Sequence, residues 1–267
     1  MIEVRGLTKR YGEVSALREV DLAVASGELL VVLGPSGAGK STLLRCINRL
    51  ITPSSGEIRV AGEVVPMNSA GLRRLRSQVG MIFQDHNLVP RMSVLKNVLC
   101  GRLSHMPAWA SALQLFGSDD ISIAFECLKR VDLQERAWSR ADRLSGGQQQ
   151  RVGIARALAQ HPRAILADEP VASLDPKSAR LVLSDLKRAA RELSIAVLCN
   201  LHQVQYAVEF ADRIVGICAG RVVFEGTPAQ LDNDALTRIY PGLEGADEGD
   251  MSAQKTGPQH VLVELSA

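Results

Sequence analysis

Three features of the sequence predict an α/β fold built on a mostly parallel sheet: short wholly apolar runs, segments of helical period that alternate with them, and turn residues between the two. Runs such as 29–33 and 164–167 lack the in-out alternation of a strand covered on one face only, so they suit strands buried on both faces. Strands that alternate with helices imply crossover connections, and such connections make neighbouring strands parallel.

The elements follow in order. Val20, Leu22 and Val24 recur with period two and predict a strand with one covered face. The run 29–33 is a buried strand, followed at once by Gly-Pro-Ser-Gly-Ala-Gly-Lys-Ser, residues 34–41. Leu43, Leu44, Ile47 and Leu50 then fall at helical spacing, with Thr52-Pro53 ending the helix. Residues 57–65, with Gly62 in the middle, predict a hairpin, and 79–83 another buried strand. The most basic stretch, Leu72-Arg73-Arg74-Leu75-Arg76, reads as a solvated helix face. Residues 92–143 carry Trp109 and Phe116, are broken by Pro107 and Gly117, and show no β alternation, which predicts a helical insertion. Leu-Ser-Gly-Gly-Gln-Gln-Gln-Arg, residues 144–151, opens a helix that runs through Ala159. A buried strand, 164–167, precedes a helix with Ala179, Val182, Leu183, Leu186, Ala190 and Leu193 on one face. A strand at 195–199 leads to a last hairpin around Ala219-Gly220. From Gly242 the tail is rich in Gly, Asp and Glu, and is expected to be mobile up to the short apolar end Val261-Leu262-Val263.

The 267 residues suffice for one large domain or two modest ones, and 46% hydrophobic with 22% charged residues is ordinary for a globular chain. A net charge of +2, with no basic stripe interleaved with aromatics, argues against a nucleic-acid partner. Cys46, Cys100, Cys127, Cys199 and Cys218 lack CxxC spacing, which excludes a zinc ribbon and favours buried, reduced thiols in a reducing compartment. The start Met-Ile-Glu-Val-Arg-Gly has no charged-then-apolar signal pattern, and no apolar run approaches the ~18 residues of a membrane span. A soluble, cytoplasmic chain is expected, free to dock on a membrane protein. No internal repeat is visible.

Gly34-x4-Gly39-Lys40-Ser41 is the phosphate-loop pattern in the strand–loop–helix context that it requires. Its glycines let backbone N–H groups curl round phosphate oxygens, Lys40 would reach the β and γ phosphates, and the Ser41 hydroxyl would ligate Mg²⁺. Asp168 and Glu169 end the apolar run 164–167, and adjacent acids at a buried edge need a cation or a proton to meet them. Asp168 can hold Mg²⁺ through water, and Glu169 can take a proton from an attacking water. Gln84 and His202 each lie just past a strand's carboxyl end, the edge where open α/β sheets bind ligands. Tyr11 could stack on an adenine ring or pack between strands. Residues 144–151 open a second glycine-rich helix start, and hence a second place for an anion. One nucleotide needs one such cradle.

These pieces resemble the ATP-binding cassette (ABC) family, whose signature loop matches Leu144-Ser145-Gly146-Gly147-Gln148. The resemblance runs from residue 1 to about 240 through Tyr11, the phosphate loop, Gln84, the signature, Asp168-Glu169, Ser173-Leu174-Asp175 and His202. It implies a P-loop NTPase domain over 1–240, with a mixed central sheet, an N-terminal antiparallel β subdomain and a helical subdomain at about 90–160, followed by a tail at 241–267. It implies ATP and Mg²⁺ as ligands. Gly34, Pro35, Ser36, Gly37, Ala38, Gly39, Lys40, Ser41 and Thr42 would hold phosphate, and Tyr11 would stack on adenine. Ser41, Gln84 and Asp168 would serve the metal, Glu169 would be the base, and His202 would contact the γ-phosphate. Two copies would pack head to tail, with Ser145, Gly146, Gly147 and Gln148 capping ATP in the partner's phosphate loop and Asp175 at the seam. That is what the resemblance offers as the use of the second cradle.

Segments 166–176, 200–204 and 211–216, with Gly101-Arg102-Leu103 ahead of Trp109 and Phe116, look like the ATPase subunits of phosphonate importers. That branch implies transmembrane permease subunits as partners through a groove near 84–92, a periplasmic phosphonate-binding protein acting indirectly, and a peripheral place on the cytoplasmic face of the inner membrane. Two positions depart from the pattern: His86, where an aromatic residue or Gln is usual, and Gly153, usually Ala. The rival readings are a cassette for another substrate (phosphite, an amino acid, a lipoprotein) and a soluble, non-transport ABC ATPase. The single cassette, the lack of sustained heptads and the low charge speak against the latter. A P-loop kinase or GTPase leaves the signature loop unexplained.

Overall fold

In the computed structural model, which describes residues 1–242, the apolar runs become the strands of two sheets. The strands are β1 (Ile2–Tyr11), β2 (Val14–Val24), β3 (Leu29–Leu33), β4 (Ser55–Val60), β5 (Glu63–Val64), β6 (Val79–Ile82), β7 (Ala164–Asp168), β8 (Ala196–Asn200), β9 (Arg213–Cys218) and β10 (Arg221–Gly226). The helices are α1 (Lys40–Ile47), α2 (Ser69–Gln78), α3 (Val94–Leu99), α4 (Ala108–Ala112), α5 (Ser118–Arg130), α6 (Gly146–Ala159), α7 (Pro176–Leu193), α8 (Val204–Phe210) and α9 (Asn233–Ile239).

The smaller sheet is antiparallel, in the order β2-β1-β4-β5. On β2 Val20, Leu22 and Val24 are buried while Glu19, Asp21 and Ala23 face out, so the period-two reading sets its covered face. Ala61 and Gly62 both take left-handed backbone (φ 54° and 83°), as a two-residue hairpin turn demands. The larger sheet runs β10-β9-β3-β8-β7-β6, parallel throughout except for the β10 edge. Every residue of β3, β7 and β8 is buried, which is why these strands carry continuous apolar runs.

Two apolar layers flank the larger sheet. Leu30, Val32, Leu166 and Leu198 face α1 and the inner side of the smaller sheet. Val31, Ile165 and Val197 face the opposite layer of α6, α7, α8 and the helical segment 94–159. That segment holds no strand and meets the expectation of a helical insertion. Its two aromatics part company: Phe116 packs on the core, whereas Trp109 on the short α4 is 66% exposed.

Several expectations need correction. Helix α1 ends at Ile47 and does not reach Thr52, and Leu50 is 47% exposed. Arg49 adopts left-handed backbone (φ 52°), and the N–H groups of Arg49 and Ile51 satisfy the carbonyls of Cys46 and Arg45, closing the helix without the usual glycine. Leu193 is 39% exposed, because α7 stops there at left-handed Ser194. Of the five free thiols only Cys46, Cys127 and Cys199 are buried; Cys100 and Cys218 are partly exposed. On α2 only Leu75 is buried, which leaves Arg73, Arg74 and Arg76 in solvent as read. The acidic tail beyond Gly242 and its apolar end lie outside the described residues.

Gly153 sits buried in the middle of α6, and a Cβ there would meet only the His86 carbonyl, at an ordinary 3.9 Å. Gly153→Ala should therefore stabilise the chain by about 0.8–1 kcal/mol, the difference in helix propensity. Thermal unfolding should shift up by about 2–4 °C. A lower melting temperature would show that α6 has no room at this point.

Candidate functional site

Parallel register brings the functional strand ends together. Val32 pairs with Asn200, and Asn200 with Asp168, so β3, β8 and β7 finish side by side. Alternation along each strand then decides the face. Asp168 follows Leu166 by two residues and Asn200 follows Leu198 by two, so both point to the α1 side. There Ser41 Oγ donates to Asp168 Oδ1 at 2.8 Å, and Asn200 Nδ2 donates to the same oxygen at 3.0 Å. Arg45, one turn further along α1, approaches Asp168 Oδ2 at 3.7 Å.

Between β3 and α1 the glycine-rich loop is held too tightly for a side chain at two of its glycines. A Cβ on Gly34 would lie 2.1 Å from the Ile217 carbonyl oxygen, and one on Gly39 (φ 107°) 2.4 Å from that of Ala16. Lys40 is buried; its Nζ donates to the carbonyls of Gly34 at 2.6 Å and Pro35 at 3.0 Å, pulling the loop around itself. Burial lowers the Lys40 pKa, and the nearby Glu169 and Asp168 carboxylates oppose that shift. No side chain caps the start of α1, so its first N–H groups are left for an external acceptor. They border a cleft of about 200 Å³ lined by Ala16, residues 36–42, Glu169 and His202.

Glu169 leaves β7 in left-handed backbone (φ 52°), an uncommon state for a residue with a side chain. The turn brings its carboxylate to the cleft, where Oε1 meets His202 Nε2 at 2.6 Å. The structure thus gathers the phosphate loop, Glu169 and His202 around one cavity, with Asp168 beneath Ser41.

Other predicted residues lie elsewhere. Ser145 caps α6: its hydroxyl accepts from Gln148 N at 3.3 Å, while Gln148 Oε1 accepts from Ser145 N at 3.1 Å. Ser145 and Gly146 are exposed, and none of residues 144–148 lines the cleft. Gly147 is buried against α7, where a Cβ would stand 2.7 Å from the Ser178 side chain. Asp175 caps α7 by accepting from Ser178 N at 3.0 Å, and this bonding holds its carboxyl below the usual carboxylate range. Tyr11 is 49% exposed at the end of β1, with Lys9 Nζ 4.8 Å from its ring centroid, and it is not part of the cleft wall. Gln84 is exposed in the turn after β6, also outside that wall.

Sequence reasoning passed over Asn200, Ala16 and Arg45. Asn200 was legible in principle, as a polar residue in phase with Leu198 at a buried strand end. It also missed what His86 does. His86 Nδ1 meets Gln150 Oε1 at 2.5 Å, and Arg156 donates to the carbonyls of His86 (3.0 Å) and Asn87 (2.6 Å), tying the loop that carries Gln84 to α6.

The site suits a nucleotide polyphosphate with a hard divalent cation. The cradle offers N–H groups and Lys40 to phosphate oxygens, and the Ser41–Asp168 pair offers oxygen donors only. No cluster of three or more His, Cys, Asp or Glu that could hold a metal occurs among the described residues. A cation here would draw its remaining ligands from phosphate and water, the usual habit of Mg²⁺.

Comparison with known proteins agrees. The family model described as "ABC transporter" matches residues 17–172. The phosphonates import ATP-binding protein PhnC of Thiobacillus denitrificans is 54% identical, the alignment covering 94% of this chain and 97% of that one. Its namesake PhnC 1 of a Ruegeria species is 46% identical over 95% and 99% of the two chains. Among solved structures, the dimeric bacterial ABC transporter cassette MJ0796 is 34% identical with a TM-score of 0.75, covering 85% of this chain and all but 1% of its own, 99%. Fold, site and relatives agree: this chain belongs to the ABC transporter family and is one of its ATP-binding cassettes.

Proposed function

We propose that the chain is the ATP-hydrolysing subunit of an importer that takes up phosphonates. The observation that carries the ATPase reading is the single cavity shared by the phosphate loop, Glu169 and His202. The substrate rests on relatives named for phosphonate import that align over nearly the whole chain.

Lys40 and the N–H groups of residues 36–42 bind the β and γ phosphates and fix the γ-phosphorus in the cleft. Ser41, Asp168 and Gln84 would hold Mg²⁺, which would supply positive charge against the charge developing on the phosphate. Glu169 takes the proton of the attacking water. The 2.6 Å contact with His202 Nε2 orients that carboxylate, and His202 contacts the γ-phosphate in the loaded site. Tyr11 stacks on the adenine.

The second cradle serves a second copy. Ser145 and Gly146 are exposed and lie off their own chain's cleft, so a bound nucleotide within one chain leaves this helix start free. Head-to-tail pairing places residues 145–148 over the partner's nucleotide and Asp175 at the seam. MJ0796 has been seen as a dimer, and also as a dimer bound to ADP and Pi. No helix among the described residues is long and apolar enough to cross a membrane. The chain acts as a peripheral subunit on the cytoplasmic face of the inner membrane, docked on permease subunits that receive phosphonate from a periplasmic binding protein.

Three outcomes follow from this reading. Glu169→Gln keeps shape and hydrogen bonding but cannot accept a proton, so turnover should fall about 10²–10⁴-fold with ATP binding retained. Phosphate release at saturating ATP, beside a nucleotide titration, checks it; near-native hydrolysis removes Glu169 from the role of base. Ser145→Arg should abolish hydrolysis without unfolding the chain, since it blocks the partner's site, and mixing it with Lys40→Ala protein should yield heterodimers with at most one intact composite site. A rate per chain independent of protein concentration, from a monomer, would contradict the shared site. Finally, a host relying on this importer should lose growth on a phosphonate as sole phosphorus source when Lys40 becomes Ala, while growth on phosphate continues. Unchanged phosphonate uptake in that strain overturns the substrate and leaves the ATPase assignment standing.

A further inference from the structure

Asn200 is the last residue of β8 and is wholly buried, yet it is polar where the rest of its strand is not. It stands between the strand that feeds the phosphate loop and the strand that ends in Asp168. Its orientation is fixed by chemistry: an ionised carboxylate only accepts, so the amide must turn Nδ2 to Asp168 Oδ1, at 3.0 Å. That choice leaves Asn200 Oδ1 buried with no hydrogen-bond partner. An unpaired buried carbonyl is unfavourable, and an apolar side chain of the same size would avoid it. Packing alone gives no reason for an amide here, so the reason must lie with the carboxylate it touches.

Asp168 has two ways to turn. Its Oδ1 is shared by Ser41 Oγ at 2.8 Å and Asn200 Nδ2, while its Oδ2 faces the Arg45 guanidinium at the longer distance of 3.7 Å. A carboxylate freed from Asn200 can swing to close a direct pair with Arg45 and let go of Ser41. Asn200 blocks that swing, because it loads the oxygen on the Ser41 side with a second donor.

We propose that Asn200 is a positioning residue for the divalent cation that enters with ATP, acting through Asp168. By holding Oδ1 against Ser41 it keeps the serine O–H aimed at the carboxylate, which leaves the serine oxygen's lone pairs free for the cation. This rests on the nucleotide-hydrolysing reading above.

The test is the Mg²⁺ concentration that half-saturates the tightening of ATP binding, measured on the full chain with a fluorescent ATP analogue. Binding in EDTA and the melting temperature without nucleotide serve as internal references. Asn200→Leu, similar in volume and without a donor, should raise the half-saturating Mg²⁺ about 10- to 100-fold. Metal-free ATP binding should stay unchanged, and the melting temperature reports folding only, because losing a donor to Asp168 opposes the gain from removing the unpaired carbonyl. A merely structural asparagine leaves the Mg²⁺ dependence unaltered whatever happens to the melting temperature, and that result overturns the inference. Should Asn200→Leu not fold, Asn200→Thr and Asn200→Val provide a pair of equal shape that differs by one hydroxyl donor. The valine variant should need about tenfold more Mg²⁺ than the threonine variant, and equal requirements overturn the inference. A native chain whose ATP binding ignores Mg²⁺ would defeat the nucleotide reading itself; indifference in the Asn200 variants alone defeats only the role of Asn200.

Discussion

Parallel strands in one register end together, and here β3, β8 and β7 end as a row: Leu33 leading into the phosphate loop, then Asn200, then Asp168. Everything in the site hangs on that row. Slipping β7 by one residue would turn Asp168 to the α6–α7 side and present Ala167 to Ser41, because successive side chains leave opposite faces. The register is fixed from both sides, since Leu30, Leu166 and Leu198 must enter one apolar layer while Val31, Ile165 and Val197 enter the other. The burial that stabilises the sheet therefore also aims the acid.

Charge is arranged so that the site holds itself together until phosphate arrives. Lys40 is buried and satisfied by two loop carbonyls, and Asp168 is buried and satisfied by Ser41, Asn200 and the approach of Arg45. Desolvation disfavours the charged lysine, and the two neighbouring carboxylates restore part of that loss. An incoming polyphosphate supplies Lys40 with stronger acceptors than backbone carbonyls, so the loop can exchange internal bonds for external ones without leaving a buried charge unpaired.

Much of this was legible in the sequence, for physical reasons that also mark where reading stops. The strand before the phosphate loop, the glycines and the start of α1 follow from local pattern, since a tight turn and an uncapped helix start need particular residues in adjacent positions. The end of α1 did not, because Arg49 takes the left-handed position that glycine usually announces. Helices α8 and α9 are seven residues each, too short to show a periodic stripe, and no reading found them. Trp109 and Phe116 look alike in sequence; only the packing of the insertion separates the exposed ring from the one that packs, partly buried, on the core. Asn200 does not stand out in the sequence, because its importance is a contact across thirty-two positions. Sequence also raised the question of two cradles, which spacing alone could not answer; the use proposed for the second one came from a family resemblance.

The two cradles, though separate, are joined by rigid parts. Glu169 and Asp175 lie on one short turn, with Ala172 N bonded to the Glu169 carbonyl and Leu174 N to that of Val171. Leu174 packs against Gly146 of the signature loop, and Gly147 touches Ser178 of α7, so residues 145–147 rest on the segment that begins at the proposed base. On the other side, His86, Gln150 and Arg156 lock the Gln84 loop to α6, the helix that carries the signature. A partner pressing on Ser145 therefore presses on a helix fixed at both flanks, to the turn holding Glu169 and to the loop holding Gln84. Packed interiors deform little under such a load, so a push at the proposed seam would move these elements together. In the head-to-tail pairing proposed above, the signature loop would belong to two sites: the partner's nucleotide would meet its surface, and the turn that begins at Glu169 meets its back.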